Sequence, residues 1–128
     1  MDRFDLRVEV PPVDYTDLDM AAQGPTSATV AASVAAARAV QQRRFAEGSG
    51  LRANADLSGD ALDHFARPDD EGRALLVKVA EKFGLSARGY HRVLRVARTI
   101  ADLAGEDGVR KPHVAEAVSF RLAFTNEV

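Results

Sequence analysis

The sequence predicts a mainly α-helical fold, a bundle of four to five helices preceded by one N-terminal strand and a linker. Two patterns carry that expectation. Apolar residues recur at helical spacing through most of residues 26–128, and the helical stretches are punctuated by Ser, Thr or Asp at their starts and by Gly or Pro at their ends. A period of two, the mark of a strand with one buried face, occurs only near the start, where Phe4, Leu6, Val8 and Val10 alternate with Asp5, Arg7 and Glu9. The chain therefore divides into a strand segment at 1–12, a linker at 13–25 and a helical domain at 26–128.

Pro11 and Pro12 stop the strand, which needs a partner to satisfy its backbone. No partner strand is evident, so the strand is expected to belong to a sheet outside this chain. Residues 13–25, with scattered acids, Gly24 and Pro25, show no sustained period and read as a linker. Thr26 and Ser27 are cap candidates for an alanine-rich helix running to about Glu47, before Gly48 and Gly50. Its apolar stripe is thin: Val30, Val34 and Ala37 share one side, which Gln41, Arg44 and Phe45 continue.

Ser58 is placed to cap a short helix from about Gly59 to Ala66, broken by Pro68. Asp69 or Asp70 opens the next helix, whose Leu75, Leu76, Val79, Ala80 and Phe83 form an apolar face and whose stop is Gly84. Ser86 caps a further helix that Gly105 closes. The last helix carries Pro112 in its first turn, with Val114, Ala117, Val118 and Leu122 at helical spacing.

Composition narrows the function. The formal net charge of −2 gives the chain as a whole no pull towards a polyanion. With no cysteine, disulfides, thiolate metal sites and cysteine nucleophiles are excluded. The charged N-terminus lacks the apolar core of a signal peptide, and no apolar run approaches the roughly 20 residues of a membrane helix. A cytoplasmic location with no membrane contact is the expectation. His64, His91 and His113 lack metal-ligand spacing and read as surface or internally satisfied residues, so no metal site is expected.

Chemistry concentrates on the fourth helix, "SARGYHRVLRVARTIADLAG". On a helical wheel Tyr90, Val93, Leu94, Val96, Ala97, Ile100, Ala101 and Leu103 occupy the core half. Arg88, Arg92, Arg95 and Thr99 fall opposite, flanked by His91, Arg98 and Asp102, as a ridge facing away from the core. For any one of these arginines a solvated face is the commoner role, with Arg98 and Asp102 an i,i+4 pair contributing about 0.2–0.5 kcal/mol. Arg88 stands apart. It lies in the first turn, where free N–H groups and the helix dipole favour an anion, and its guanidinium suits bidentate contact with phosphate. No "GxxxxGK[ST]" motif occurs, so any nucleotide must be held by another polypeptide region.

The segments "DRFDLRVEVP", "TSATVAASVAAARAVQQRRF" with its V-x-x-A-R-x-x-Q-x-x-R pattern at Val34, Ala37, Arg38, Gln41 and Arg44, "GLSARGYHRVLRVARTIADLAG" and "VRKPHVAEAVSFR" together resemble the C-terminal part of magnesium-chelatase-like AAA+ ATPases, in the branch that includes bacterial competence proteins. The resemblance covers nearly the whole chain. It implies an AAA+ lid-type helical bundle beside a P-loop ATPase core of the same protein, in homo-hexameric rings that bind ATP and Mg2+ between subunits. By the same resemblance Arg88 matches the sensor-2 arginine that contacts nucleotide phosphate, and Arg3 matches the arginine finger that reaches a neighbour's site. The Walker motifs and sensor 1 are not in this chain, so it is not expected to be an enzyme alone. The competence branch implies DNA remodelling of the branch-migration kind in natural transformation; the chelatase branch implies metal insertion into porphyrin.

Two other readings stay open. One is an independent DNA-binding module using Arg88, Arg92 and Arg95 with Arg38, Arg43 and Arg44 on phosphates, against which stand the acidic balance and the lack of interleaved aromatics. The other is a helical protein-interaction domain with "VQQRRF" and the arginine ridge at subunit contacts.

Overall fold

A computed structural model of the chain describes residues 26–45 and 51–122. The expected strand at 4–10, the linker at 13–25 and Arg3 lie outside the described residues. The architecture is mainly helical, with α1 at Ser27–Arg44, α2 at Gly59–Phe65, α3 at Asp70–Phe83, α4 at Ala87–Leu103 and α5 at Lys111–Leu122. A 3-10 turn, Asn54–Asp56, stands between α1 and α2.

Local chemistry explains most of these boundaries. The Thr26 hydroxyl accepts from the N–H of Thr29, the Asp69 carboxylate from that of Gly72 and the Ser86 hydroxyl from that of Gly89, each meeting one of the orphan donors of a helix start. Gly84 ends α3 at φ 64°, a left-handed conformation that carries no penalty without a Cβ. Ser58 occupies the N-cap position of α2, but its side chain makes no capping hydrogen bond. The first helix ends at Arg44, with Phe45 extended beyond it, sooner than the expected Glu47. At that end Phe45 turns into the core, where its ring meets that of Phe65 edge-on at 5.5 Å between centroids.

Helix α4 is central: it packs on α5, α1, α2 and the 3-10 turn, while α3 is held through α5. Leu57, Leu62, Leu76, Val93, Ala97, Ala101, Val109 and Val114 form the most deeply buried part of the core. The α4 face expected from the wheel is largely the one observed, except that Leu103, in the last turn, is 46% exposed. A parallel bridge between Pro68 and Val109 ties the α2–α3 junction to the segment before α5, and the N–H of Asp69 donates to the carbonyl of Val109 at 2.9 Å. This junction closes on Gly72, which is buried. A Cβ there would stand 2.8 Å from Asp69 Oδ1, 3.2 Å from Pro68 Cβ and 3.3 Å from the Lys111 backbone nitrogen.

The stripe expected on α1 is buried only over its second half. Ala37, Gln41 and Phe45 are inside, whereas Val30 and Val34 are 48% and 39% exposed. Residues 27–36 are all exposed, because the body of the bundle meets only the last two turns of the helix.

Candidate functional site

The arginines of α4 do not form one solvent-facing ridge. Arg92 and Arg98 are buried, at 8% and 3% exposure, and so is Asp102 at 4%. Arg95 is half-buried and donates from Nε to the carbonyl of Leu57 at 2.7 Å. Only Arg88 and the neighbouring His91 remain exposed on that side. The expectation of a ridge turned away from the core is therefore corrected, and with it the reading of Arg98 and Asp102 as a surface pair. The physical reason is that α1, the 3-10 turn, α2 and the α4–α5 connection cover this face of the helix and bring acceptors to it.

Asp102 is the centre of that covering. Its Oδ1 accepts from Arg44 Nη2 at 2.6 Å and from Arg98 Nη2 at 2.9 Å. Its Oδ2 accepts from Arg44 Nη1 at 2.9 Å and from Asn54 Nδ2 at 2.8 Å. Those contacts use the full accepting capacity of a carboxylate. Burial alone would push the Asp102 carboxyl upward, but the hydrogen bonds from Arg44 and Asn54 and the charges of Arg98 and Arg44 outweigh it and hold the group below its ordinary value. Burial lowers the Arg98 pKa, with Arg44 adding to the effect and Asp102 opposing it. As a guanidinium Arg98 stays charged at neutral pH.

Both terminal nitrogens of Arg98 also reach backbone carbonyls, while its buried Nε has no hydrogen-bond partner among the described residues. Nη1 donates to the carbonyls of Asp107 at 2.9 Å and Phe65 at 3.4 Å, and Nη2 to that of Glu106 at 2.9 Å. Arg44 Nη1 reaches Asn54 Oδ1 at 3.0 Å, and Gln41 Oε1 accepts from the Asn54 N–H at 3.0 Å. One network thus joins the end of α1, the 3-10 turn, the end of α2, the last turns of α4 and the connection to α5. The accepting positions of its Asp102 carboxylate are all taken by the chain's own donors. The network holds the end of α1 against α4 and the 3-10 turn.

The other feature is the start of α4. Ser86 caps the helix, Gly89 behind it is buried, no acidic residue stands in the first turn, and Arg88 is exposed there. First-turn N–H groups without intrahelical acceptors, the positive end of the dipole and the exposed Arg88 all belong to the same helix start. Chemically these groups suit an anion such as a phosphate or a carboxylate. Arg3, the other expected site residue, lies outside the described residues.

Further sites are poorer in chemistry. Among the described residues no group of His, Asp and Glu is arranged to hold a metal ion. His64 and His91 are exposed, while buried His113 accepts the N–H of Arg110 on Nδ1 at 2.9 Å, which makes it part of the start of α5. An open groove of about 570 Å³ between α4 and α5 is mainly apolar, lined by Val96, Ile100, Leu103 and Phe120 with Arg95 and Glu116 among its few polar side chains. No helix among the described residues is long and apolar enough to cross a membrane.

The residues that sequence reasoning missed are Asn54 and Asp102 as partners of Arg44. Their signal was present but faint: Gln41 and Arg44 interrupt an otherwise apolar stripe on α1, a placement that demands buried polar partners.

Known proteins share these segments. Residues 24–121 match the family described as magnesium chelatase, subunit ChlI C-terminal. The chain is 39% identical over 122 residues to the competence protein ComM of Haemophilus influenzae, covering 94% of this chain and 23% of that protein. It is 37% identical over 122 residues to the uncharacterized protein YifB of Salmonella typhimurium and 38% identical over 122 residues to YifB of Escherichia coli, with 94% of this chain and 23% of each relative covered. The chain spans about a quarter of the length of these curated relatives. The matched range holds all five helices except the last residue of α5, and the chain belongs to the magnesium chelatase ChlI C-terminal family.

Proposed function

We propose that this chain is the lid of a P-loop ATPase, a helical unit that presents Arg88 as a sensor-2 cation to nucleotide phosphate held by the ATPase core of the same protein. One observation carries the reading: of the four arginines on α4, Arg88 alone is exposed, at a capped helix start, while Arg92 and Arg98 are buried and Arg95 is half-buried. The residues here fit the outer edge of a phosphate group and not a whole nucleotide, in keeping with the lack of a P-loop. ATP with Mg2+, when bound to the core, supplies the phosphoryl group that is transferred to water. Arg88 binds a phosphate oxygen in the closed arrangement, and Ser86 keeps the helix start in the geometry that aims it. A cation that meets phosphate only on closure stabilises the charge that develops during transfer and ties lid position to nucleotide state.

In the same reading Arg3 is the arginine finger for a neighbouring subunit, the assembly is a homo-hexamer in the cytoplasm, and the motor remodels DNA, as in branch migration during natural transformation. Similarity to a competence protein supports the DNA role over metal insertion into porphyrin. An autonomous DNA-binding ridge is less well supported, since Arg92 is buried and Arg44 is committed to Asp102.

The test is ATP turnover by the complete polypeptide carrying Arg88→Ala or Arg88→Lys. The alanine variant should lose turnover on the order of 10²-fold, the scale for removing one preorganised donor to developing charge. Lysine should restore only part of it, because a point charge does not reproduce bidentate geometry. Normal turnover by Arg88→Ala would remove the sensor role.

A further inference from the structure

The first half of α1 is an anomaly in this protein. Charged residues make up 28% of the chain, yet residues 26–37 contain none. Residues 27–36 are exposed along their whole length, and among them are Val30 and Val34. The two valines are not scattered: Val30, Val34, Ala37 and Gln41 follow one another at helical spacing, and the last two are buried. The face that α1 buries in the bundle therefore continues, uncovered, beyond the edge of the bundle. Ser27 and Ser33, three residues to either side of Val30 and so on the flanks of this face, are small and keep the surface low enough for close approach by another element.

Two occupants compete for this face. Ten helical residues span about 15 Å on a cylinder roughly 10 Å across, so covering one side buries a few hundred Å² at most. A stable association between separate molecules needs about 800 Å² from each partner, which argues against a second copy held by this helix alone. A covalently attached partner has no such threshold, because a linker supplies an effective concentration in the millimolar range. The curated relatives extend well beyond the stretch that this chain covers, which is 23% of each.

We propose that residues 27–36 are the docking edge through which the helical unit seats on the rest of its own polypeptide, and that the surface seated there is uncharged and apolar, with side chains that fill the low ground around Val30 and Val34. This inference rests on the reading of the chain as one part of a larger ATPase. It adds the surface by which movement of that part would reach α1, and through the Arg44–Asp102 contact, the bundle that carries Arg88.

The experiment is hydrogen exchange on this chain alone and on the complete polypeptide, each with and without the paired substitutions Val30→Asp and Val34→Asp. In this chain alone, amides within 31–36 should exchange at least about 100-fold faster than those of Val93 to Ala101, as expected of a helix without tertiary cover. In the complete polypeptide they should slow by at least about tenfold, and the aspartates should abolish that slowing while leaving the melting of the isolated chain unchanged. Equal exchange in the two contexts would overturn the proposal. Protection that appears in this chain alone with rising concentration would also overturn it, in favour of a second copy. The outcome is separable from that of the Arg88 test, since docking can be observed without turnover and turnover can depend on Arg88 without this contact.

Discussion

At Asp102 one carboxylate holds two guanidiniums and one amide inside the protein. Asp102→Ala would leave Arg44 and Arg98 without their counter-charge and should lower stability by about 3–5 kcal/mol, read from urea denaturation. The pH dependence follows from the depressed carboxyl. A folded-state pKa below the unfolded one contributes stability that is fully present above the ordinary carboxylate range, and it is lost as pH falls from about 4 through the folded value. The gap in urea midpoint between the wild type and Asp102→Asn should therefore be wide at neutral pH and narrow in acid; a gap of constant size would show that the charge of Asp102 is not what matters. Little of this was legible in the sequence. A helical wheel reports the polarity of a face, and for Arg92, Arg98 and Asp102 the polar face is buried because Asn54, Arg44 and the carbonyls of Phe65, Glu106 and Asp107 come to meet it. The placement of Arg88 was legible, since it depends on a local feature, the helix start that Ser86 caps.

Elements were more legible than contacts, because their boundaries are written in short-range chemistry. Asp69, Gly84 and Ser86 act where their residue types predict. The thin stripe on α1 is continuous in the sequence, but a stripe carries no information about where its partner ends, and Val30 and Val34 lie past that edge. The tightness at Gly72 is not legible in the sequence, since it depends on where the Asp69 carboxylate, Pro68 and the start of α5 come to lie around it. Gly72→Ala should cost about 1–3 kcal/mol despite the better helix propensity of alanine, because the Asp69 carboxylate that caps α3 would have to shift while Pro68 and the start of α5 crowd the same spot. A thermal melt at or above that of the wild type would show that the α3–α5 junction yields easily. In the isolated chain Val34→Ser should be nearly neutral, within about 0.5 kcal/mol, as an exposed position should be.

On the scale of the whole molecule, the arginines of α4 are used in two ways. Arg95 and Arg98, with Arg44 of α1, tie elements together, and Arg88 is left at the surface. The division makes a pairwise comparison decisive. ATP turnover and thermal unfolding should be measured together on complete polypeptides carrying Arg88→Ala or Arg98→Ala. The account predicts that Arg88→Ala melts as the wild type does while losing turnover on the order of 10²-fold, and that Arg98→Ala lowers the melting temperature because it strips Asp102 and three carbonyls of a donor. Wild-type turnover with Arg88→Ala, in a protein that hydrolyses ATP, would contradict it.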